Sequence, residues 1–121
     1  MVTRELALHE RIMVSGMRGL YDDVQTQVQM YPIRDSGGTA PYYTVMDAVC
    51  IRNGVPVGLV EGKASLTAPL RPNQAAGFPL IQRNGAVPRG TRVGIVPAQP
   101  VVVLRWMLDQ RKACPSPCES Q

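Results

Sequence analysis

The first part of the chain has the periodicity of an amphipathic helix. Between residues 4 and 30, apolar side chains recur every three to four positions and lie within about 40° of one line on a helical projection. This pattern predicts one long helix over residues 4–30, weakened near its middle by Gly16 and Gly19. Glu10 falls on the same stripe, where it either reaches solvent at a frayed end or meets a charged group on a facing sheet. The apolar positions of the stripe are Leu6, Met13, Met17, Leu20, Val24 and Val28.

Two strand-like stretches follow, and they are joined by a short turn. Residues 42–52 and 55–65 predict a hairpin around the Asn53-Gly54 pair. Because strand side chains alternate between faces, each strand has one mainly apolar face, and we expect both of these faces to turn toward the N-terminal helix. The two predicted faces consist of Tyr43, Val45, Asp47, Val49 and Ile51 on the first strand, and of Val55, Val57, Leu59, Glu61 and Lys63 on the second.

The register of this hairpin decides where its charged residues lie. A regular two-residue turn would pair Asp47 with Val60 and would put the two apolar sets on opposite faces. A three-residue loop, or a bulge near Pro56 or Gly58, places Asp47 opposite Glu61 and restores the match. The apolar pattern therefore predicts an irregular hairpin with two carboxylates side by side.

The rest of the chain predicts short elements separated by turns. We expect a loop over residues 32–41, an extended connector over 66–74, a short helix over 75–83, a turn region over 84–91, strands over 91–96 and 101–106, and an extension of the last strand or a helical turn over 107–112. This order indicates an α+β fold in a single domain, residues 1–112, followed by a disordered tail over residues 113–121.

Charge narrows the classes of partner. The 121 residues have a formal net charge of +4, which suits an anionic partner such as nucleic acid. Most of the basic residues are arginines, whose planar guanidinium matches phosphate well. No apolar run is long enough to span a bilayer, and Glu5, Glu10 and Arg11 interrupt the apolar core that a signal peptide requires. We therefore expect neither a membrane partner nor a signal peptide.

The end of the hairpin's apolar face holds two carboxylates and an ammonium group, those of Asp47, Glu61 and Lys63. Adjacent carboxylates repel unless a cation lies between them, and Mg²⁺ prefers such oxygen ligands. A lysine on the same face can hold an attacking water or stabilise charge that develops on a phosphate. The three residues thus predict a divalent-cation site, although they also suit an ion-pair cluster in a non-enzymatic basic module that binds nucleic acid or protein.

The spacing of these residues, Asp-x13-Glu-x-Lys, resembles the active site of the PD-(D/E)xK, or restriction-endonuclease-like, nuclease superfamily. The segment VEGKASLTAPLRPNQAAGFPLIQRNGAV, residues 60–87, also resembles the toxin domains of bacterial polymorphic toxins that have this fold. In those domains a strand end leads through TAPLxPNQ to an apolar helix. The resemblance covers about residues 47–95. Met46 stands where the superfamily pattern loosely keeps a proline.

The resemblance implies a restriction-endonuclease-like core, in which the N-terminal helix packs on a small mixed sheet and the hairpin carries the site. It also implies hydrolysis of phosphodiester bonds with Mg²⁺ or Mn²⁺. Asp47 and Glu61 would ligate the metal, and the Gly62 carbonyl and Glu10 would be further ligands. Lys63 would position or activate water.

The same resemblance implies that Gln74 is a further site residue, although a helix cap or an exposed polar group explains a glutamine there equally well. The resemblance implies DNA as the preferred substrate, with RNA, including tRNA, as the alternative. A toxin of this kind is secreted or delivered into the cytoplasm of a target bacterium, and a cognate immunity protein blocks its site. Four arginines in the irregular middle can grip phosphates, although solvated loop charge explains any single one of them: Arg71, Arg83, Arg89 and Arg92.

Overall fold

The computed structural model describes residues 8–90 and 94–105, apart from the side chain of His9. The predicted start of the first helix, the first residues of the predicted strand over 91–96, residue 106, the segment 107–112 and the tail over 113–121 lie outside the described residues. The elements are α1 (Leu8–Arg18), β1 (Asp23–Pro32), β2 (Thr44–Arg52), β3 (Val55–Lys63), α2 (Pro72–Asn84), β4 (Ala86–Pro88) and β5 (Val101–Arg105).

The strands form one mixed sheet in the order β4-β1-β2-β3-β5. β1, β2 and β3 make an antiparallel meander, and β4 pairs antiparallel with the outer side of β1. The chain then returns across the sheet, so that β5 runs parallel to β3 at the other edge. The predicted α+β class is confirmed. None of the described helices has the length and apolarity needed to cross a bilayer.

The prediction of one helix over residues 4–30 is wrong in its second half. α1 ends at Arg18, a turn follows in which the Leu20 amide donates to the Met17 carbonyl, and β1 begins at Asp23. Residues four apart in sequence share a face both in a helix and in a strand, so the spacing of the stripe was compatible with either element. Gly16 and Gly19 favour a helix end.

The prediction of an irregular hairpin is confirmed. Asn53 and Gly54 have φ angles of 55° and 76° and form a two-residue turn. Ile51 pairs with Pro56 whereas Cys50 pairs with Gly58, so one extra residue in β3 forms a bulge. Beyond the bulge, Ala48 pairs with Val60, and the same register places Asp47 opposite Glu61.

Each face of the sheet is covered by one helix, and this corrects the prediction that the hairpin's apolar faces turn toward the N-terminal helix. Val49 and Leu59 pack on the α2 side instead, while Val55 and Val57 are exposed. The prediction failed because it assumed one core layer, whereas α2 supplies a second. The α1 side buries Met13, Val14, Val24, Ala48, Cys50 and Val60. The α2 side buries Val28, Met30, Met46, Val49, Leu59, Phe78, Ile81, Ala86 and Val96.

The second helix is longer than predicted, because it begins at Pro72 and continues through Pro79 to Asn84. Proline is favourable in the first turn of a helix, where its missing N–H has no intrahelical partner. The predicted turn region contains β4, and the predicted strand over 101–106 is confirmed as β5 over its described part. In the described part of the predicted strand over 91–96, only Val96 pairs, with Ala86.

Gly85 ends α2 and joins it to the sheet. Its φ is 87°, its amide donates to the Ile81 carbonyl at 2.8 Å, and a Cβ built on it would collide with the Val96 carbonyl oxygen. The Val96 and Ala86 backbones exchange two hydrogen bonds of 2.9 Å at this point. A side chain at position 85 would therefore meet both backbone strain and a backbone clash.

Gly85→Ala should lower the free energy of unfolding by about 2–4 kcal/mol, because the strain of a positive φ adds to the displacement of the Val96 segment. Gly90→Ala is the matched control, since Gly90 also has a positive φ but has open space around its Cα. Chemical denaturation of both variants measures the difference. Equal losses in the two variants would show that the Val96 contact does not constrain position 85.

Candidate metal centre and active site

The site is built where β2 and β3 hold their carboxylates together. The Gly62 amide donates to Asp47 Oδ2 at 2.8 Å, and the Asp47 amide donates to Glu61 Oε1 at 3.3 Å. Each carboxylate thus accepts a hydrogen bond from the backbone of the neighbouring strand. Asp47 and Glu61 are 5% and 3% exposed, so their charges lie out of bulk water.

Gln74 connects this pair to α2. Its Nε2 donates to Glu61 Oε2 at 2.8 Å and to the Val45 carbonyl at 3.4 Å. Its Oε1 accepts from Lys63 Nζ and from the Arg71 amide, both at 3.0 Å. The last of these bonds caps the helix N-terminus, so Gln74 is at once a cap and a member of the carboxylate cluster. It is not an exposed polar group, since it is 5% exposed.

Lys63 supplies a positive charge beside the pair. Its Nζ lies 3.5 Å from Glu61 Oε2 and 3.0 Å from Gln74 Oε1, and its side chain is 11% exposed. It projects from the end of β3, two residues after Glu61 on the same face, as the sequence predicted. The ammonium group is therefore fixed at the cluster by two acceptors.

Glu10 reaches the cluster from the opposite side of the sheet. It lies in the first turn of α1, is 4% exposed, and hydrogen-bonds to Asp47. The alternative that it extends into solvent at a frayed helix end is wrong. Together the elements line a half-open cavity of about 300 Å³. Its lining residues are Glu10, Gln27, Val45, Asp47, Glu61, Gly62, Lys63, Ala64, Arg71 and Gln74.

The electrostatics of the cavity favour an added positive charge. The pKa of Asp47 is raised to about 7, chiefly by burial and also by the charge of Glu61 and the hydrogen bond with Glu10, while the hydrogen bond from the Gly62 amide opposes the shift. Asp47 therefore keeps a proton up to near neutral pH, because the site resists holding two carboxylate charges beside the single ammonium of Lys63. A divalent cation would release that proton on binding.

The donor set fits Mg²⁺ or Mn²⁺. Among residues 8–90 and 94–105, no group of three or more His, Cys, Asp and Glu side chains is placed as a ready-made metal cage. Mg²⁺ rarely uses such a cage, because it is usually held by one or two carboxylates together with water and phosphate oxygens. Asp47 and Glu61 offer hard oxygen donors at a cavity, and the charge of Glu61, after burial, contributes to the raised pKa of Asp47.

The predicted phosphate-binding arginines lie in different places. Arg71 lines the cavity, whereas Arg83 does not line it and pairs with Asp35 at 3.2 Å. The Arg89 guanidinium lies 5.8 Å from the centre of the Tyr43 ring. Arg92 lies outside the described residues. The structure thus brings one of the described arginines, Arg71, to the carboxylates.

One residue of the cavity was missed by the sequence analysis. Gln27, on β1, donates from its Nε2 to Asp47 Oδ1 at 3.2 Å. It was overlooked because residues 19–30 were assigned to a helix, in which it would have lain away from the hairpin. The alternation of β-favouring residues at Val24, Thr26 and Val28 was the signal that could have identified this strand.

The chain matches no protein-family model, and comparisons with curated proteins and with solved structures give no significant match.

In the presence of chelator, the stability of the fold should depend on the proton held at Asp47. The pKa of Asp47 is about 7 in the folded protein against 3.8 for an ordinary aspartate, so between about pH 4 and pH 7 the folded state keeps a proton that the unfolded state has released. This contribution to stability decreases as the pH rises through that window. Asp47→Asn removes the titrating group and with it this pH dependence. The melting temperature of the variant minus that of the parent should therefore increase from pH 4 to pH 7.

Asp35→Asn is a control of opposite sign. Hydrogen bonds from Arg83 and Asn84 lower the pKa of Asp35, so its carboxylate stabilises the fold above its unfolded pKa and loses that effect as the pH falls. This variant should be slightly less stable than the parent at pH 7 and should approach it in acid. If the difference in melting temperature between Asp47→Asn and the parent stays constant between about pH 4 and pH 7, the raised pKa of Asp47 is contradicted.

Proposed function

We propose that the chain is a Mg²⁺- or Mn²⁺-dependent nuclease of the restriction-endonuclease-like class, which acts as an antibacterial toxin domain and cleaves DNA in preference to RNA. The observation that carries this proposal is the buried pairing of Asp47 with Glu61 on neighbouring strands, with Lys63 Nζ 3.5 Å from the second carboxylate. The resemblance of residues 47–95 to that superfamily and the net charge of +4 support the same reading.

The order of elements also supports a restriction-endonuclease-like core. An N-terminal helix packs on a mixed sheet, the β2–β3 hairpin carries the two carboxylates, and a second helix lies between β3 and the strand parallel to it. α1 and α2 cover opposite faces of the sheet, and each contributes a polar side chain, Glu10 and Gln74, to the same cavity.

The residues divide the chemistry among them. Asp47 and Glu61 would hold the cation, with Glu10 and the Gly62 carbonyl as further oxygen donors. When bound, the cation would polarise the scissile phosphate and lower the pKa of a bound water. Lys63 would hold the attacking water or stabilise charge on the phosphate oxygens, because its ammonium is already fixed at the cluster.

Gln74 and Arg71 take supporting roles in this proposal. The Gln74 side-chain amide binds Lys63 through its oxygen and Glu61 through its nitrogen. One side chain therefore sets the distance between the proposed metal ligand Glu61 and the Lys63 ammonium group. Arg71, at the rim of the cavity, is suited to a backbone phosphate of the substrate. A cognate immunity protein that covers this cavity, and delivery into a target bacterium, belong to the same proposal.

A structural ion-pair cluster is the rival function, and one observation favours it. The Lys63–Glu61 pair and the four hydrogen bonds of Gln74 satisfy these polar groups without any ligand. A basic binding module would need nothing more from them. The two readings differ in what happens when one charge is removed.

The purified protein should cleave plasmid DNA in Mg²⁺ or Mn²⁺ and should be inactive in chelator. Parallel incubations with single-stranded DNA, total RNA and tRNA determine the substrate class.

Lys63→Ala should slow cleavage by about 100-fold while leaving metal binding largely intact, as expected for the loss of a charge-stabilising group. Arg18→Ala, which changes an exposed cation in the last turn of α1, should retain parental activity. Equal activity of Lys63→Ala and the parent would remove Lys63 from the mechanism.

Melting curves in chelator and in Mg²⁺ distinguish the nuclease from the ion-pair cluster. In a metal site, Glu61→Gln and Asp47→Asn relieve repulsion, so both variants should melt at or above the parent in chelator. The parent should gain about 2.7 kcal/mol at a Mg²⁺ concentration 100 times its dissociation constant, and the variants should gain much less. In an ion-pair cluster, Glu61→Gln leaves the Lys63 charge without its carboxylate and costs about 3–5 kcal/mol. That loss, with no response to metal, would overturn the proposed function.

A further inference from the structure

Gln27 has a backbone conformation that is unusual for a residue in a strand. Its φ is 53°, yet it lies in the middle of β1, between Thr26, which pairs with Ala48, and Val28, which pairs with Met46. A positive φ is rare for a side chain of this type. Among the described residues, Asn53 is the other non-glycine position with a positive φ, and there the hairpin turn demands it.

At Gln27, the alternation of side chains between the two faces of the sheet is interrupted. Residues four apart in a regular strand share a face, but Val24 packs on the α1 side while Val28 packs on the α2 side. The neighbouring strand does the same, since Ala48 packs on the α1 side and Met46 on the α2 side. Both strands therefore reverse their alternation at the position where Gln27 lies opposite Asp47.

This reversal brings donors to Asp47 from both neighbouring strands. Gln27 Nε2 donates to Oδ1 at 3.2 Å, and the Gly62 amide donates to Oδ2 at 2.8 Å. One donor on each oxygen fixes the plane of the carboxylate. Gln27 also lines the cavity, so its amide lies at the cluster rather than behind it.

We propose that Gln27 is a positioning residue of the metal centre, whose strained backbone exists to aim its amide at Asp47. This inference rests on the proposed function, because it assigns the orientation of one proposed metal ligand. Glycine and asparagine accept a positive φ more readily than glutamine does. Glycine, however, has no side-chain amide, and asparagine is one methylene shorter. Glutamine is therefore the residue whose amide spans the distance from β1 to Asp47, although its backbone is strained there. Partners that orient metal ligands in this way commonly change metal affinity by 10- to 100-fold when they are removed.

The first test separates backbone strain from the amide, and it needs no metal. Gln27→Gly and Gln27→Ala both remove the amide, but only glycine relieves the positive φ. In chelator we expect Gln27→Gly to melt several degrees above Gln27→Ala. Equal melting temperatures, or a more stable alanine variant, would contradict the strained conformation and overturn the proposal.

The second test measures metal binding directly, by calorimetric titration of the folded proteins with Mn²⁺. Gln27→Gly and Gln27→Ala should both bind Mn²⁺ about 10-fold more weakly than the parent, despite their different stabilities. Gln25→Ala is the matched control. Gln25 is a glutamine on the same strand, but its amide donates to Asp23 at 2.6 Å instead of to the site, so its removal should leave Mn²⁺ affinity unchanged.

The outcomes distinguish this inference from the function beneath it. If the parent binds Mn²⁺ and cleaves nucleic acid, but Gln27→Gly binds the ion as tightly as the parent, Gln27 is only a structural residue and the inference is overturned while the nuclease stands. If the parent neither binds Mn²⁺ nor cleaves, the nuclease proposal fails and the Gln27 assignment fails with it. A 10-fold loss shared by Gln25→Ala would also overturn the assignment, since it would reflect a general change in β1.

Discussion

The repulsion between two buried carboxylates is the constraint around which the rest of the site is arranged. Asp47 and Glu61 share one register position of the sheet and are almost wholly removed from water. Bringing them together is unfavourable unless donors and cations surround them. The Gly62 amide, the Gln27 and Gln74 amides and the Lys63 ammonium all point toward these two groups. Donors from three strands and from α2 thus converge on one pair of carboxylates and oppose their repulsion.

The bulge in β3 makes that arrangement possible. A two-residue turn fixes the end of the hairpin, and without an extra residue in β3 the two carboxylates would lie on opposite faces. The bulge costs ladder hydrogen bonds near the turn, where Val55 and Val57 are exposed and little core is lost. The bulge thus lies near the exposed turn of the hairpin, and its consequence is the register that places Asp47 opposite Glu61 at the other end of the two strands.

The sequence analysis succeeded where the pattern had one physical solution. Only one hairpin register reconciles the apolar faces of β2 and β3 with the charges, so the positions of Asp47, Glu61 and Lys63 were predictable. It failed where two elements fit one spacing: Leu20, Val24 and Val28 suit a helix and a strand equally, and the break after Arg18 depends on tertiary packing. Gln27 was lost with that strand, and a positive φ at a glutamine has no local signature. The second core layer under α2 was missed because Pro79 lowered the apparent strength of that helix.

The cluster is composed of side chains that are distant in sequence. Asp47 is 20 residues from Gln27 and 14 from Glu61, and Gln74 is a further 13 residues along. These contacts require the chain to close several loops, and each closure has an entropic cost. An extended or partly folded chain therefore has no assembled centre, and any activity that depends on it appears only with the complete fold. For the proposed toxin domain, folding would then be the step that creates the centre.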